Sequence, residues 1–213
     1  TAPGRIRVIC SMAPFASWVA NVVGDAAVVE TLLPADVGPH DFQFRPRDLK
    51  RIQSADLIVL NGLGIEGWLE KPLRANAKEL EKKLVRTSDG LRSELIYEVP
   101  ELEVSSDGKK KGHDHHGHAH GDHGGAGHEG EQPNPHVWLD PILAKHGVSN
   151  ILAGLIRVDP ANAETYRRNA AAYLTRLDAL DKEVRQSIAS FSSRSIVTFH
   201  DAFPYFTRRY GLD

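Results

Sequence analysis

Short apolar runs alternate with helical patterns over residues 5–87, and this alternation constrains the fold more than any other feature. The runs are rich in β-branched residues and are bounded by turn residues. Near-continuous apolar strands separated by helices are typical of a parallel sheet that is covered on both faces. The sequence therefore predicts an α/β fold, in which ligands bind beyond the carboxyl ends of the strands. The predicted strands are Arg5–Ser11, Ala27–Leu33, Leu57–Leu60 and Leu84–Thr87, and the helices between them are Pro14–Val23, Arg47–Gln53 and Gly67–Leu80.

Two Asp-Pro pairs begin the helices of the second half of the chain. Asp140 caps a helix that carries Pro141 in its first turn, and Asp159-Pro160 repeats this arrangement. The second helix has apolar residues in steps of three and four, which indicates a helix. From residue 160 to 191 it would extend ~48 Å, more than one small domain needs, so we interpret it as a spine between two lobes. Its apolar side comprises Tyr166, Ala170, Tyr173, Leu174, Leu177, Leu180, Val184, Ile188 and Phe191.

These patterns divide the chain into three predicted parts. Residues 1–138 form an N-terminal α/β lobe, and residues 139–192 form a helical connection that contains the spine helix 160–192. Residues 193–213 begin a C-terminal α/β lobe with one strand, Ser195–Phe199, and one helix. A strand and a helix are too little for a lobe, so we expect the second lobe to be truncated in this chain.

Ten of the eleven histidines fall into two populations, and the eleventh, His146, is interpreted as structural or exposed. The first population lies in the loop 105–132. This loop is rich in glycine, lysine and histidine, so it cannot offset its ordering entropy and is expected to be disordered. Short histidine-rich tracts are typical of metal capture by weak, interchangeable ligands. An affinity tag, the alternative, would lie at a terminus, whereas this tract is internal and irregularly spaced. Its histidines are His113, His115, His116, His118, His120, His123 and His128.

The second population consists of His40, His136 and His200. Each lies at the boundary of a predicted element, with aromatic neighbours and a proline or a strand that fixes its backbone. Each alone also fits a hydrogen-bonded structural histidine. Together, beside a metal-capturing tract, they favour one site with rigid ligands, in which Pro135 and Trp138 hold His136. The carboxylates that are candidates to orient the rings, with helix capping or simple exposure as the alternative, are Asp41, Asp140 and Asp201.

Composition and charge argue against several other classes of protein. The formal net charge of −2 does not fit a nucleic-acid binder, which usually carries a basic stripe. No stretch reaches the ~18 apolar residues of a membrane span. The single cysteine, Cys10, lies in an apolar run and is expected to be buried and structural. The start at Thr1, without a methionine or an apolar leader, is interpreted as a mature N-terminus after signal cleavage.

Several motifs follow one another in a fixed order along almost the whole chain. They are Gly38–Phe42 with Arg45-Pro46 and Asp48, Ala55–Val59, Asn61-Gly62, Asn134–Pro141, Tyr166 with Asn169, and Thr198–Phe203 with Tyr205-Phe206. In this order, and with a histidine-rich insertion before the fourth, they resemble the periplasmic zinc and manganese receptors of metal ABC transporters. These receptors are the cluster A-I solute-binding proteins.

The resemblance implies two α/β lobes joined by one long helix, with one tightly bound metal ion between them. It also implies that His40, His136 and His200 are the ligands. Three histidines and a histidine-rich loop resemble the zinc-type members, since a carboxylate replaces the third histidine in manganese-type members. Pro39 departs from the acidic residue that some zinc receptors carry before the first histidine. The fourth ligand therefore stays open between a water, a carboxylate from the second lobe and another group.

The leading hypothesis is a periplasmic, monomeric receptor that binds Zn²⁺ with high affinity and delivers it to an ABC transporter permease. Its loop would bind additional ions weakly, or receive zinc from a donor protein. Alternatives are a manganese receptor of the same type and a periplasmic zinc buffer or chaperone that binds through the loop. Three histidines with an open position also describe catalytic zinc. No general base or substrate-pocket motif accompanies them, so we predict no enzymatic activity.

Overall fold

The computed structural model describes residues 4–39, 41–98 and 132–213. Strands and helices alternate as expected, so the predicted α/β class is confirmed. The strands are β1 (Ile6–Cys10), β2 (Ala27–Thr31), β3 (Leu57–Leu60), β4 (Leu84–Arg86), β5 (Tyr97–Glu98) and β6 (Gln132–Pro133). The helices are α1 (Ala13–Val23), α2 (Pro46–Gln53), α3 (Gly67–Ala75), α4 (Ala77–Leu80), α5 (Pro141–Val158), α6 (Ala163–Ala189) and α7 (Pro204–Tyr210).

The main sheet is parallel throughout and has the strand order β2-β1-β3-β4. In the central strand, Val8 lies beside Val29 of β2 and Leu57 of β3. The chain leaves β1 for β2 and then returns to β3 on the other side. The carboxyl ends of β1 and β3 therefore form a switch point, where α/β sheets bind their ligands. Ser11 and Asn61 are the first residues after these two strands.

The side chains of each strand alternate between two hydrophobic cores. Val8 and Cys10 of β1 pack with residues of α1, α5 and α6, whereas Ile9 packs with residues of α2 and α3. Both faces of the sheet are covered, which explains why the strands have continuous apolar sequences. Burial raises the pKa of the Cys10 thiol, so this group stays protonated and structural, as predicted.

Helix α5 lies so close to its neighbours that two of its positions require glycine. A Cβ atom on Gly147 would lie 2.6 Å from Cζ3 of Trp18, and one on Gly154 would overlap Cγ2 of Val85. The helix begins at the predicted cap, Asp140, whose carboxylate accepts two N–H groups of the first turn. Its close approach fixes the turn before it relative to the sheet.

Helix α6 changes its surroundings along its length. It has 27 residues and extends about 40 Å, less than predicted, because the first three residues of the predicted helix form a 3-10 turn and the helix already ends at Ala189. Tyr166 and Ala170 are buried in the core with α1, whereas Leu180, and Phe191 just after the end of the helix, are exposed. Ile188 packs instead against residues of α7 and the residues after it. None of the described helices is both long and apolar enough to cross a membrane.

The predicted helix Gly67–Leu80 consists of two helices, α3 and α4, which are interrupted at Asn76. Pro72 within α3 has no N–H to donate, and the Asn76 side chain donates to the Pro72 carbonyl at 2.9 Å. Asn76 itself leaves the helical region with φ of −124°. A helical period in the sequence could not show this interruption, because the apolar positions of both helices stay in phase.

The predicted strand Ser195–Phe199 does not form a strand, and every residue from 191 to 200 is exposed. Only its start is paired: the N–H of Asp213 donates to the Arg194 carbonyl at 2.8 Å, and the N–H of Ile196 donates to the Asp213 carbonyl at 2.7 Å. These two hydrogen bonds have the pattern of adjacent parallel strands, but they involve only Asp213 on the other side. Residues 195–199 therefore have a strand-like sequence, but within the described part of the chain they do not form a ladder of hydrogen bonds with another strand.

Strands β5 and β6 form a short antiparallel pair beside the main sheet. Tyr97 lies opposite Pro133, and Glu98 lies opposite Gln132. Gln132 was predicted as the last residue of the disordered loop 105–132, and that boundary is wrong by this residue because its pairing with β5 orders it. The remainder of the loop lies outside the described residues. The pair leads the chain directly into the turn that carries His136.

Candidate metal centre

His136 lies in the turn between β6 and α5 and is only 6% exposed. The centroid of its ring lies 5.0 Å from that of Trp138. The Trp138 ring in turn meets Phe15 of α1 edge-on, with 5.9 Å between the centroids. Trp138 therefore lies between the His136 ring and the hydrophobic core that contains Phe15.

His136 and His200 face each other through their Nε2 atoms, which are 3.1 Å apart. Their ring centroids are 4.9 Å apart, and the ring planes are inclined by 78°. Two nitrogen ligands at 2.0–2.1 Å from a tetrahedral zinc ion lie about 3.3 Å apart. The observed separation also fits an N–H···N hydrogen bond with one proton between the rings. The distance between the two Nε2 atoms is thus compatible with either a shared proton or a bound metal ion.

Helix α7 holds His200 from its C-terminal side. The hydroxyl of Tyr205, a fully buried residue, donates to the Asn134 carbonyl at 2.7 Å and accepts from the N–H of Ile96 at 3.1 Å. The Arg209 guanidinium forms an ion pair with the carboxylate of Asp140, which is 1% exposed. These contacts attach α7 to the turn that carries His136, and so bring the two histidines together.

A buried carboxylate, Glu66, organises the switch point between β1 and β3. Its Oε1 accepts from the Ser11 hydroxyl and from the N–H of Asn61, both at 2.7 Å, and its Oε2 accepts from the N–H of Gly62 at 3.1 Å. Burial raises the pKa of Glu66, and these hydrogen bonds oppose that shift. The Asn61 side chain then donates to the Pro135 carbonyl at 2.9 Å. The end of β3 therefore supports the turn of the predicted ligand.

The structure describes the three carboxylates that the sequence offered as candidates to orient the rings, but the ring of His40, beside Asp41, lies outside the described residues. Asp140 caps α5 and pairs with Arg209, which matches the alternative of helix capping. Asp41 and Asp201 are exposed. The Asn134 amide contacts the His136 ring, with its Oδ1 2.9 Å from Nδ1.

Sequence reasoning missed both Asn134 and Glu66. For Asn134 a signal was available, because an asparagine side chain can turn back to the backbone two residues further on. For Glu66, five residues after Asn61, nothing in the local sequence indicates that the carboxylate is buried. Its position depends on the end of β1, which is remote in the chain.

The structure brings together two of the three predicted ligands. His40 lies outside the described residues, as do all seven histidines of the loop from His113 to His128. Within residues 4–39, 41–98 and 132–213, no group of three or more His, Cys, Asp or Glu side chains could hold a metal ion. His136 and His200 therefore form part of a candidate centre that the described residues do not complete.

Comparison with known proteins places these features in one family. Residues 8–213 match the family described as ZnuA, zinc-uptake complex component A, periplasmic. The chain is 33% identical over 211 residues to the zinc-binding lipoprotein AdcA of Streptococcus pneumoniae serotype 4, and this match covers 99% of the chain. It is 32% identical over 210 residues to the iron-binding protein YfeA of Yersinia pestis, with 98% of the chain covered.

The fold also matches the solved structure of a metal-binding protein. The periplasmic zinc-binding protein TroA of Treponema pallidum superposes with a TM-score of 0.79 at 25% identity, covering 99% of this chain and 65% of that one. The chain spans 38% of the length of AdcA and 58% of that of YfeA. The similarity therefore includes nearly the whole of this chain but only part of each relative.

Proposed function

The chain belongs to the ZnuA family of zinc-uptake components, and we propose that it is a receptor that binds Zn²⁺ with high affinity. It captures the ion in the periplasm and delivers it to the permease of an ABC transporter. The names of its relatives support this function, since AdcA is a zinc-binding lipoprotein and the matched family is a periplasmic zinc-uptake component. The zinc ion is cargo, and the protein does no chemistry on it.

The observation that carries this proposal is the approach of the two Nε2 atoms to 3.1 Å. His136 and His200 are 64 residues apart in the sequence, and Tyr205 of α7 is hydrogen-bonded to the turn that carries His136. The Nδ1 atom of His136 lies 2.9 Å from Oδ1 of Asn134, and its Nε2 atom is the one that faces His200. We propose His40 as the third ligand, from its sequence motif alone, and leave the fourth position open.

Imidazole nitrogens favour zinc over manganese, because manganese prefers oxygen ligands. Imidazole also suits iron(II), and the relative YfeA is named for iron. Competition among Zn²⁺, Mn²⁺ and Fe²⁺ for the purified protein measures this preference. We expect zinc to displace both other ions. Tighter binding of Mn²⁺ than of Zn²⁺ would favour the manganese receptor instead.

The proposed delivery step depends on the exposed side of the site. Helix α6 is a continuous helix and packs along α5 and α1, so it is a stiff connection rather than a hinge. His200, by contrast, lies at the end of an exposed segment. We propose that docking of the permease moves the His200 side of the site and leaves the His136 side in place.

The core of the proposal is tested by replacing His40, His136 and His200 together with alanine. Zinc affinity is measured by competition with a chelator of known strength, in the full-length protein. We expect high-affinity binding to be lost while the fold, followed by circular dichroism, is retained. Unchanged high-affinity binding in the triple variant contradicts the proposal.

The zinc buffer is the second candidate, because seven histidines lie within residues 113–128. It predicts that the loop carries the tight binding and that the folded part is only a scaffold. Deletion of residues 113–128 separates the two functions. A receptor keeps one tight zinc site after the deletion and loses only weak additional ions, whereas a buffer loses all tight binding.

A further inference from the structure

Asn134 is fully buried in the turn between β6 and α5, and its backbone is held on both sides. Its N–H donates to the Ile96 carbonyl at 2.8 Å. Its own carbonyl accepts from the Tyr205 hydroxyl at 2.7 Å. The side-chain amide therefore starts from a fixed backbone and has a defined direction in the site.

The backbone around Asn134 determines which way its amide faces. The N–H of His136 can only donate, and it lies 3.0 Å from one end of the amide, so that end is the oxygen. At the other end, 2.9 Å away, lies the Asp201 carbonyl, which can only accept, so that end is the NH₂ group. Each end of the amide is thus hydrogen-bonded to a backbone group that can act in only one way, as a donor or as an acceptor.

This orientation also determines the tautomer of His136. Its Nδ1 lies 2.9 Å from the same amide oxygen, and an oxygen cannot donate a hydrogen bond to it. Nδ1 must therefore carry the hydrogen, and in the neutral ring Nε2 then carries the lone pair. Nε2 is the atom that faces His200.

The other end of the amide acts on the second histidine. Asp201 follows His200 directly, and both residues are exposed. The bond from Asn134 Nδ2 to the Asp201 carbonyl attaches this backbone to the turn of His136. One buried side chain thus contacts the ring of one predicted ligand and the peptide next to the other.

We propose that Asn134 is a positioning residue for both ligands, fixing His136 as the Nδ1–H tautomer with its oxygen and tethering the His200 segment with its NH₂ group. This inference rests on the proposed function, because positioning matters only if the two Nε2 atoms bind the ion. It assigns zinc affinity to an uncharged residue that does not contact the ion. Sequence position alone gives no such role.

Two substitutions separate the two ends of the amide. Asn134→Ala removes both contacts. Asn134→Asp keeps an oxygen toward Nδ1 of His136 but places a second oxygen against the Asp201 carbonyl, which breaks the tether. The matched control is Asn169→Ala, since Asn169 of α6 also donates to a carbonyl, that of Val22 in α1, at 3.0 Å.

Three quantities are measured in the full-length protein at one fixed pH. They are zinc affinity by chelator competition, thermal stability, and the His136 tautomer from ¹⁵N NMR of the metal-free protein. We expect Asn134→Ala to weaken zinc binding about 100-fold and to mix the tautomers, and Asn134→Asp to weaken it about tenfold with the Nδ1–H tautomer kept. Asn169→Ala should lower stability but keep zinc affinity within about twofold.

The opposite results are equally defined. If Asn134→Ala binds zinc as tightly as the native protein, or if both Asn134 variants keep native affinity and tautomer, the inference is wrong. Should Asn134→Ala fail to fold, Asn134→Asp decides, since native affinity in that variant excludes the tether. Failure of the proposed function itself is distinguished by His136→Ala: unchanged affinity there rejects the site, whereas lost affinity there with native affinity in Asn134→Ala rejects only the role of Asn134.

Discussion

The two histidines of the candidate centre are held in very different ways. His136 is buried in a turn that is hydrogen-bonded to Asn61, at the end of β3, and to Tyr205 of α7. Within the turn, the side chain of Asn134 contacts the His136 ring. His200 ends a segment, residues 191–200, in which every residue is exposed. Val197 within it is 94% exposed.

This difference separates a fixed predicted ligand, His136, from an adjustable one, His200. The first lobe sets the position and the tautomer of His136 before any ion arrives, so little further order is needed there. Next to His200, the Asp201 carbonyl accepts from Asn134, and Tyr205 of α7 donates to the Asn134 carbonyl. A receptor must bind its ion tightly and then release it, and a site with one rigid side and one movable side satisfies both requirements.

Amide hydrogen exchange should show the largest difference between the two regions. We expect the amides of Val8–Cys10 to exchange more than about a thousand-fold more slowly than those of Val197–Phe199, because the strand opens only with the core. Addition of Zn²⁺ should slow exchange at residues 198–202 and leave β1 unchanged. Equal protection of the two regions without metal would contradict the comparison.

Removal of each ligand should have the next largest effect. We expect His136→Ala to weaken zinc binding by more than about 100-fold, beyond the loss of an outer partner of a ligand. His200→Ala should cost less than His136→Ala, because binding no longer has to order the exposed segment. Chelator competition measures both variants. A larger loss for His200→Ala would reverse the assignment of fixed and adjustable ligands.

The hydroxyl of Tyr205 tests whether α7 positions the movable side. Tyr205→Phe removes its bonds to Asn134 and Ile96, and should lower the free energy of unfolding by about 1 kcal/mol and weaken zinc binding about tenfold. Tyr166→Phe is the control, since Tyr166 is equally buried and its hydroxyl donates to Asp159 away from the site. We expect the control to lose stability and to keep its zinc affinity. The same change of affinity in both variants would mean that the Tyr205 effect is only one of stability.

Glu66 should give the smallest effect, a dependence of stability on pH. Burial raises its pKa, so its contribution to stability is fully present below the ordinary glutamate pKa of about 4.3 and is lost as pH rises through the raised value. Glu66→Gln cannot titrate. We therefore expect the free energy of unfolding of the native protein, relative to this variant, to fall from acid to neutral pH. Denaturant titrations across that range measure it, and a difference that is independent of pH would contradict the assigned shift.

The sequence predicts the elements whose residues carry their own signals. The parallel strands follow from continuous apolar runs, and the start of α5 follows from Asp140 and Pro141. The strand predicted at Ser195–Phe199 failed because a strand needs a neighbour, and only Asp213 pairs with it within the described residues. The strand propensity of a segment depends on its own residues, whereas a hydrogen-bond ladder also needs a second segment.

The candidate site shows the same limit at the level of single residues. His136 and His200 were predicted as ligands from their local motifs, and the structure places their Nε2 atoms 3.1 Å apart. The carboxylates proposed to orient them were neighbours in sequence, but the ring of His136 is bonded to an amide. Which group reaches a ring depends on backbone direction, which a residue pattern does not contain.

A crystal structure of the zinc-loaded protein, with anomalous scattering recorded on both sides of the zinc absorption edge, tests the central claim most directly. We expect one strong zinc peak that lies about 2.1 Å from Nε2 of both His136 and His200, with Nδ1 of His136 still bonded to Asn134. A zinc peak elsewhere, with neither Nε2 atom bound to it, would contradict the account.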